Sequence, residues 1–110
     1  MANPRNLRSG IGDLVNELVK VVNNTTVASE QIELQKLINA LFIIWQQVIL
    51  DQLDARTPEY TAAIAALGEG IDAAKDARKD LAKVAQAIAK ATKAAKAVDK
   101  VINFVLKLLV

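Results

Sequence analysis

Two glutamates near the start of the second predicted helix, Glu30 and Glu33, have the type and spacing that could support metal chemistry. An E-x-x-E pair puts two carboxylates on one side of a helix, and dinuclear iron bundles complete such sites with Glu-x-x-His. The chain contains no histidine and no cysteine. Imidazole and thiolate ligands, iron–sulfur clusters and disulfides are therefore excluded. We interpret the pair as a solvated first turn and expect no metal and no cofactor.

Catalytic motifs are also incomplete. Ser9 and Ser29 have no histidine or lysine base at a recognisable motif spacing, as a serine nucleophile requires. Gly68-Glu69-Gly70 resembles the start of a dinucleotide-binding loop but lacks the third glycine and the preceding strand. The sequence therefore favours a protein that is not an enzyme.

Lysines give the sequence its clearest charge asymmetry. Between residues 83 and 107 there are six lysines and one acidic residue, a local net charge of +5 against +2 for the whole chain. These lysines form a candidate basic face: Lys83, Lys90, Lys93, Lys96, Lys100 and Lys107. A solvated surface is the favoured interpretation, and contact with an anionic membrane surface is the alternative. Nucleic acid is disfavoured, since arginine and aromatic side chains are nearly missing from this segment.

Length and composition predict one globular domain over residues 1–110. The chain is 53% hydrophobic and 24% charged, which argues against disorder, and 110 residues allow one core. The longest apolar stretch, Leu37 to Leu50, has 14 residues and includes three amide side chains, short of the roughly 20 that cross a bilayer. With no signal peptide apparent, a cytoplasmic location is the default expectation.

Apolar residues recur at helical spacing along the chain, which predicts an all-α fold. We expect helices at about 5–22, 27–55, 58–67 and 71–109. Thr57-Pro58-Glu59 combines an N-cap hydroxyl, a first-turn proline and a first-turn carboxylate, and so marks a helix start. We expect Gly68 and Gly70 to interrupt the helix, because each glycine costs about 1 kcal/mol inside a helix. The result would be an up-and-down bundle of three long helices and one short helix.

The second predicted helix is apolar on two sides. Its core side should contain Leu34, Leu37, Ile38, Leu41, Phe42, Ile44 and Trp45. The opposite side combines three aliphatic residues with three amides and forms a candidate interface: Ile32, Asn39, Ile43, Gln46, Gln47 and Leu50. An apolar patch with a polar rim is typical of a contact site. We therefore expect a coiled-coil-like homo-oligomer, a dimer or larger, acting as an interaction or scaffold protein; a different protein partner stays open.

Overall fold

The residues described by the computed structural model are 4, 6–50 and 57–109, with side-chain surroundings for 4, 6–47 and 57–102. Within these ranges the chain is all-helical and contains no strand. Four helices follow one another: α1 (Leu7–Asn24), α2 (Ala28–Leu50), α3 (Pro58–Lys79) and α4 (Val84–Leu109). A single 3₁₀ turn, Leu81–Lys83, joins α3 to α4. The predicted extension of the second helix over residues 51–55, and the predicted start at residue 5, lie outside the described residues.

Short polar side chains set the helix ends. The Asn6 side chain accepts a hydrogen bond from the Ser9 backbone N–H at 2.8 Å, and Thr57 Oγ1 accepts one from Tyr60 at 3.3 Å. Such N-caps satisfy backbone donors that have no partner inside the helix. The predicted start at Pro58 is confirmed. Thr25 lies at the end of α1, where its hydroxyl donates a hydrogen bond to the Val21 carbonyl at 2.7 Å.

The predicted break at Gly68 and Gly70 is wrong, because α3 continues without interruption through both glycines to Lys79. A Cβ atom on Gly70 would lie 3.3 Å from Leu14 Cδ1 of α1 and 3.6 Å from the Lys90 carbonyl oxygen of α4. Glycine therefore lets three helices approach closely here. Packing of this kind opposes the cost of glycine in a helix interior. The predicted short helix 58–67 is thus a helix of 22 residues.

The predicted single helix over 71–109 is also wrong, because the chain leaves the helical conformation at Asp80. This residue has φ −142° and ψ 104°, and its side chain accepts a hydrogen bond from the Ala82 backbone N–H at 3.1 Å. Aspartate stabilises such a break, because its carboxylate binds backbone donors that a helix would otherwise use. Leu81 lies in the 3₁₀ turn and is 44% exposed.

Small residues bring α3 and α4 together. The buried residues of α3 are mostly alanine and glycine, and α4 presents Ala87, Ala91 and Ala94 between Val84 and Val98. Helix axes approach more closely when the residues between them are small. Larger side chains come from α1, which lies against α2 and α3, and from α2, which also packs on α4. The largest fully buried side chains are Leu7, Ile11, Leu14, Leu18, Val21, Leu34, Leu41, Leu67, Val84, Val98 and Val101.

Candidate interaction surfaces

The outer face of α2, defined here by Ile32, Lys36, Asn39, Ile43 and Gln46, points away from the core. Ile32 and Ile43 are each 57% exposed, and the three polar members are exposed as well. Leu34, Ile38 and Leu41 occupy the opposite side of the helix and are buried. Gln47, also in the predicted interface, is exposed beside this face, while the side chain of Leu50 lies outside the described residues. Two large aliphatic side chains on one side of α2 are therefore exposed to solvent.

Spacing along the outer face follows the heptad pattern of a coiled coil. Residues 32, 36, 39, 43, 46 and 50 are separated by alternating steps of four and three. This alternation keeps side chains on one line along a helix that packs against another helix. Lys36 belongs to this line, although the predicted interface omitted it. The 4-3-4-3-4 spacing is the signal in the sequence that identifies it.

An aromatic cluster borders the outer face of α2. Phe42 was predicted to lie in the core, but it is 49% exposed and stacks on Trp45, with ring centroids 5.7 Å apart. The Arg8 guanidinium of α1 lies over the Trp45 ring, 4.9 Å from its centroid. A cation above an indole face is attracted by the ring's negative potential. This contact orients Trp45, and the stacked Phe42 remains at the surface, next to Ile43 in sequence.

The basic face of α4 is largely solvent-exposed. Lys83, Lys93, Lys96 and Lys100 are exposed, whereas Lys90 is half-buried, with its Nζ 3.6 Å from Glu69 Oε2. Lys107 has no described side chain. Within the described part of the chain, no ion pair involves Lys93, Lys96 or Lys100. These three like charges lie on one side of α4, at positions i, i+3 and i+7. None of them pairs with a carboxylate of the residues that the structure describes.

A groove of about 560 Å³ separates these three lysines from the start of α3. Pro58, Glu59 and Ala62 line one side, and Lys93, Lys96, Ala97 and Lys100 line the other. The two alanines leave space between the helices, and the positive end of the α3 dipole lies at the same end of that helix. The surface is therefore concave, apolar at its floor and net positive at its rim.

A partly buried ion pair links α1 to α3. Glu17 is only 9% exposed, and its Oε2 accepts a hydrogen bond from Arg78 Nη1 at 2.6 Å. Lys20 Nζ lies 3.6 Å from the other carboxylate oxygen. Burial raises the pKa of Glu17, but the hydrogen bond and charge of Arg78, with those of Lys20, outweigh burial and hold that pKa below its ordinary value. The pair fixes the relative position of two helices, and its partners are 61 residues apart.

The residues first considered for chemistry are dispersed. Glu30 is half-buried and Glu33 is exposed near the start of α2, while Ser9 and Ser29 are exposed at the beginnings of α1 and α2. Among the side chains that the structure describes, no group of three or more carboxylates lies close enough to hold a metal ion. Every buried side-chain nitrogen or oxygen in that part of the chain has a hydrogen-bond partner.

No family model, curated protein or solved structure matches this chain. A functional proposal therefore rests on the surfaces themselves.

The described helices do not include one that is long and apolar enough to cross a bilayer. An interfacial helix binds a membrane differently, by placing its apolar side among the lipids. In α4 that side is buried in the core, at Val84, Ala91, Val98 and Val101. Up to residue 102, where the side chains of α4 are described, membrane contact through the packed helix would rely on its exposed lysines. Contact between the lysines of α4 and an anionic membrane surface remains a prediction.

Proposed function

We propose that this chain is a non-enzymatic scaffold subunit, an up-and-down bundle that forms homodimers through the outer face of α2. The observation that carries the proposal is the 57% exposure of both Ile32 and Ile43 on one heptad line. Side chains at such positions in a coiled coil insert between residues of a second helix. Within the chain, α1 and α4 cover the other side of α2.

The polar residues of the outer face favour a protein partner over lipid. Asn39 and Gln46 require hydrogen-bond partners once they are covered, and hydrocarbon chains provide none. A polar side chain in a helix–helix contact also sets its register. These amides therefore suit another helix that carries polar groups at matching positions.

A second copy of α2 supplies matching positions. If two copies pair antiparallel about a twofold axis between residues 37 and 38, Ile32 of each chain lies opposite Ile43 of the other. The same register places Lys36 opposite Asn39, and it overlaps nearly the whole length of α2. A parallel pairing would instead bring Lys36 against Lys36, two like charges. Twofold homodimers are the commonest assemblies among soluble proteins, and their contacts are reciprocal in this way.

The exposed apolar surface would contribute part of the free energy of association. Covering the exposed 57% of each isoleucine contributes about 0.9 to 1.7 kcal/mol, given about 1.5 to 3 kcal/mol for complete burial. Four such side chains in the dimer contribute about 3 to 7 kcal/mol before the costs of association. Phe42 adds to this at the edge of the contact.

The test is the double variant Ile32→Gln with Ile43→Gln, studied by size-exclusion chromatography with light scattering. Glutamine forms helices at least as well as isoleucine, so the bundle should keep its fold while the dimer weakens at least about 100-fold. Val19→Gln with Leu81→Gln is the matched control, because these aliphatic residues are 39% and 44% exposed and belong to α1 and the 3₁₀ turn. A monomeric wild type, or equal effects of both double variants, would refute the proposal.

Because the chain has no cysteine, single-cysteine variants can report the orientation of the pair. Mixed Ile32→Cys and Ile43→Cys chains should form a disulfide between the two variants under mild oxidation. Disulfides that join only identical variants would indicate a parallel pairing and contradict the antiparallel register.

A further inference from the structure

We propose that the groove between the start of α3 and the middle of α4 binds a phosphorylated polyol, either free or as the headgroup of an anionic lipid. This site lies on α3 and α4 and does not depend on the dimer contact of α2. Its lining residues are Pro58, Glu59, Ala62, Lys93, Lys96, Ala97 and Lys100.

Charge carries the first part of the argument. The groove contains three lysines and one glutamate, a net charge of +2, which equals the net charge of the whole chain. The charges of the remaining residues therefore sum to zero. Lys20 and Lys90 have carboxylate partners, whereas Lys93, Lys96 and Lys100 have no ion-pair partner among the described residues. An anion in the groove would relieve their mutual repulsion.

The type of anion follows from the other lining groups. Lysine ammonium groups form strong charge-assisted hydrogen bonds with phosphate oxygens. Pro58, Ala62 and Ala97 provide an apolar floor for a short carbon skeleton. Glu59 would repel a bare phosphate but can accept hydrogen bonds from hydroxyl groups. Phosphate, carbon skeleton and hydroxyl groups occur together in a phosphorylated polyol, and a volume of about 560 Å³ lies within the usual range for small-molecule sites.

The first experiment titrates the 110-residue chain with glycerol phosphate and with inorganic phosphate at physiological ionic strength, followed by calorimetry or NMR. Wild type should bind glycerol phosphate saturably, and Lys93→Gln/Lys96→Gln/Lys100→Gln should bind it at least about tenfold more weakly. The matched control is Lys75→Gln/Lys79→Gln/Lys83→Gln, which removes three exposed lysines outside the groove. Its affinity should remain within about twofold, because distant charges are screened. Thermal unfolding of each variant establishes that it is folded.

A second arm uses vesicles of phosphatidylglycerol, with phosphatidylcholine vesicles as the uncharged comparison, to separate the two sources of the ligand. Displacement of the protein from phosphatidylglycerol vesicles by glycerol phosphate would support the proposal that one groove binds both the free compound and the lipid headgroup. Vesicle binding that needs the three groove lysines without measurable binding of the free compound supports the lipid headgroup.

Glu59→Gln tests the polyol part, because it should reduce the preference for glycerol phosphate over inorganic phosphate. An unchanged preference would overturn the assignment of hydroxyl groups to Glu59. Equal weakening by the groove and control triple variants, or no groove-dependent binding to either probe, would overturn the site.

Discussion

Two glycines of α1 should respond in opposite directions to the same substitution. A Cβ atom at Gly10 would lie 2.9 Å from Pro4 Cβ and Cγ and 3.0 Å from Leu67 Cδ1, closer than ordinary contact. Among the described residues, a Cβ atom at Gly12 would meet only Trp45 Nε1, at 3.8 Å. Both alanine variants reduce the conformational cost of a helical glycine, but Gly10→Ala must also displace Pro4 or Leu67.

The magnitudes follow from these distances. Gly12→Ala should raise the free energy of unfolding by about 0.5 to 1 kcal/mol, the usual difference between glycine and alanine inside a helix. Gly10→Ala has at most the same gain, against about 1 to 3 kcal/mol for overpacking a buried site. We expect it to lower the free energy of unfolding by about 1 kcal/mol, so the melting temperatures should move apart by roughly 6 to 8 °C.

Urea and thermal unfolding followed by far-ultraviolet circular dichroism measure both variants. All samples need the same chain concentration, because self-association makes the melting temperature depend on it. A Gly10→Ala variant as stable as Gly12→Ala would show that α1 does not approach Pro4 and Leu67 as closely as described.

Three further substitutions test the ion pair and the helix ends in the same unfolding assays. Glu17→Gln should lower the free energy of unfolding by about 1 kcal/mol, since it removes the charged hydrogen-bond partner of the partly exposed Arg78. Because the folded pKa of Glu17 lies below its ordinary value, its contribution is present at neutral pH and is lost as pH falls through that folded pKa. Glu17→Gln should remove this part of the pH dependence of the free energy of unfolding. An unchanged pH dependence would contradict the ion pair between Glu17 and Arg78. Thr57→Ala should lower the free energy of unfolding by about 0.5 to 2 kcal/mol through loss of the α3 N-cap, whereas Thr57→Ser should retain most of it; equal losses would argue against the cap. Asp80→Ala should also lower the free energy of unfolding by about 0.5 to 2 kcal/mol, because it removes the hydrogen bond from the Ala82 backbone N–H. A variant more stable than wild type would show that Asp80 does not stabilise the turn.

Features encoded by neighbouring residues could be predicted from the sequence. Thr57, Pro58 and Glu59 start α3 by local capping, and the periodic apolar residues of α1 and α4 form buried stripes. The back of the second helix was also located correctly as a surface, since Ile32 and Ile43 are exposed opposite the buried Leu34 and Leu41. Its role as an interface remains a prediction.

Features that depend on distant residues could not be predicted. Gly70 stays helical because Leu14 and Lys90 approach it from two other helices, and glycine content alone suggested a break. Glu17 is buried because Arg78 reaches it across 61 positions of sequence. The groove beside Lys93, Lys96 and Lys100 exists only because the start of α3 lies against α4, so the sequence showed the lysines without their surroundings.

Sedimentation equilibrium of the wild-type chain at low to high micromolar concentrations tests the central claim, dimerisation through the outer face of α2, most directly. The proposal predicts a mass twice the 11.9 kDa of one chain, which returns to that of one chain in Ile32→Gln/Ile43→Gln. It also predicts that Val19→Gln/Leu81→Gln keeps the dimer mass. A wild-type chain that sediments at 11.9 kDa at the highest concentration would contradict the proposal.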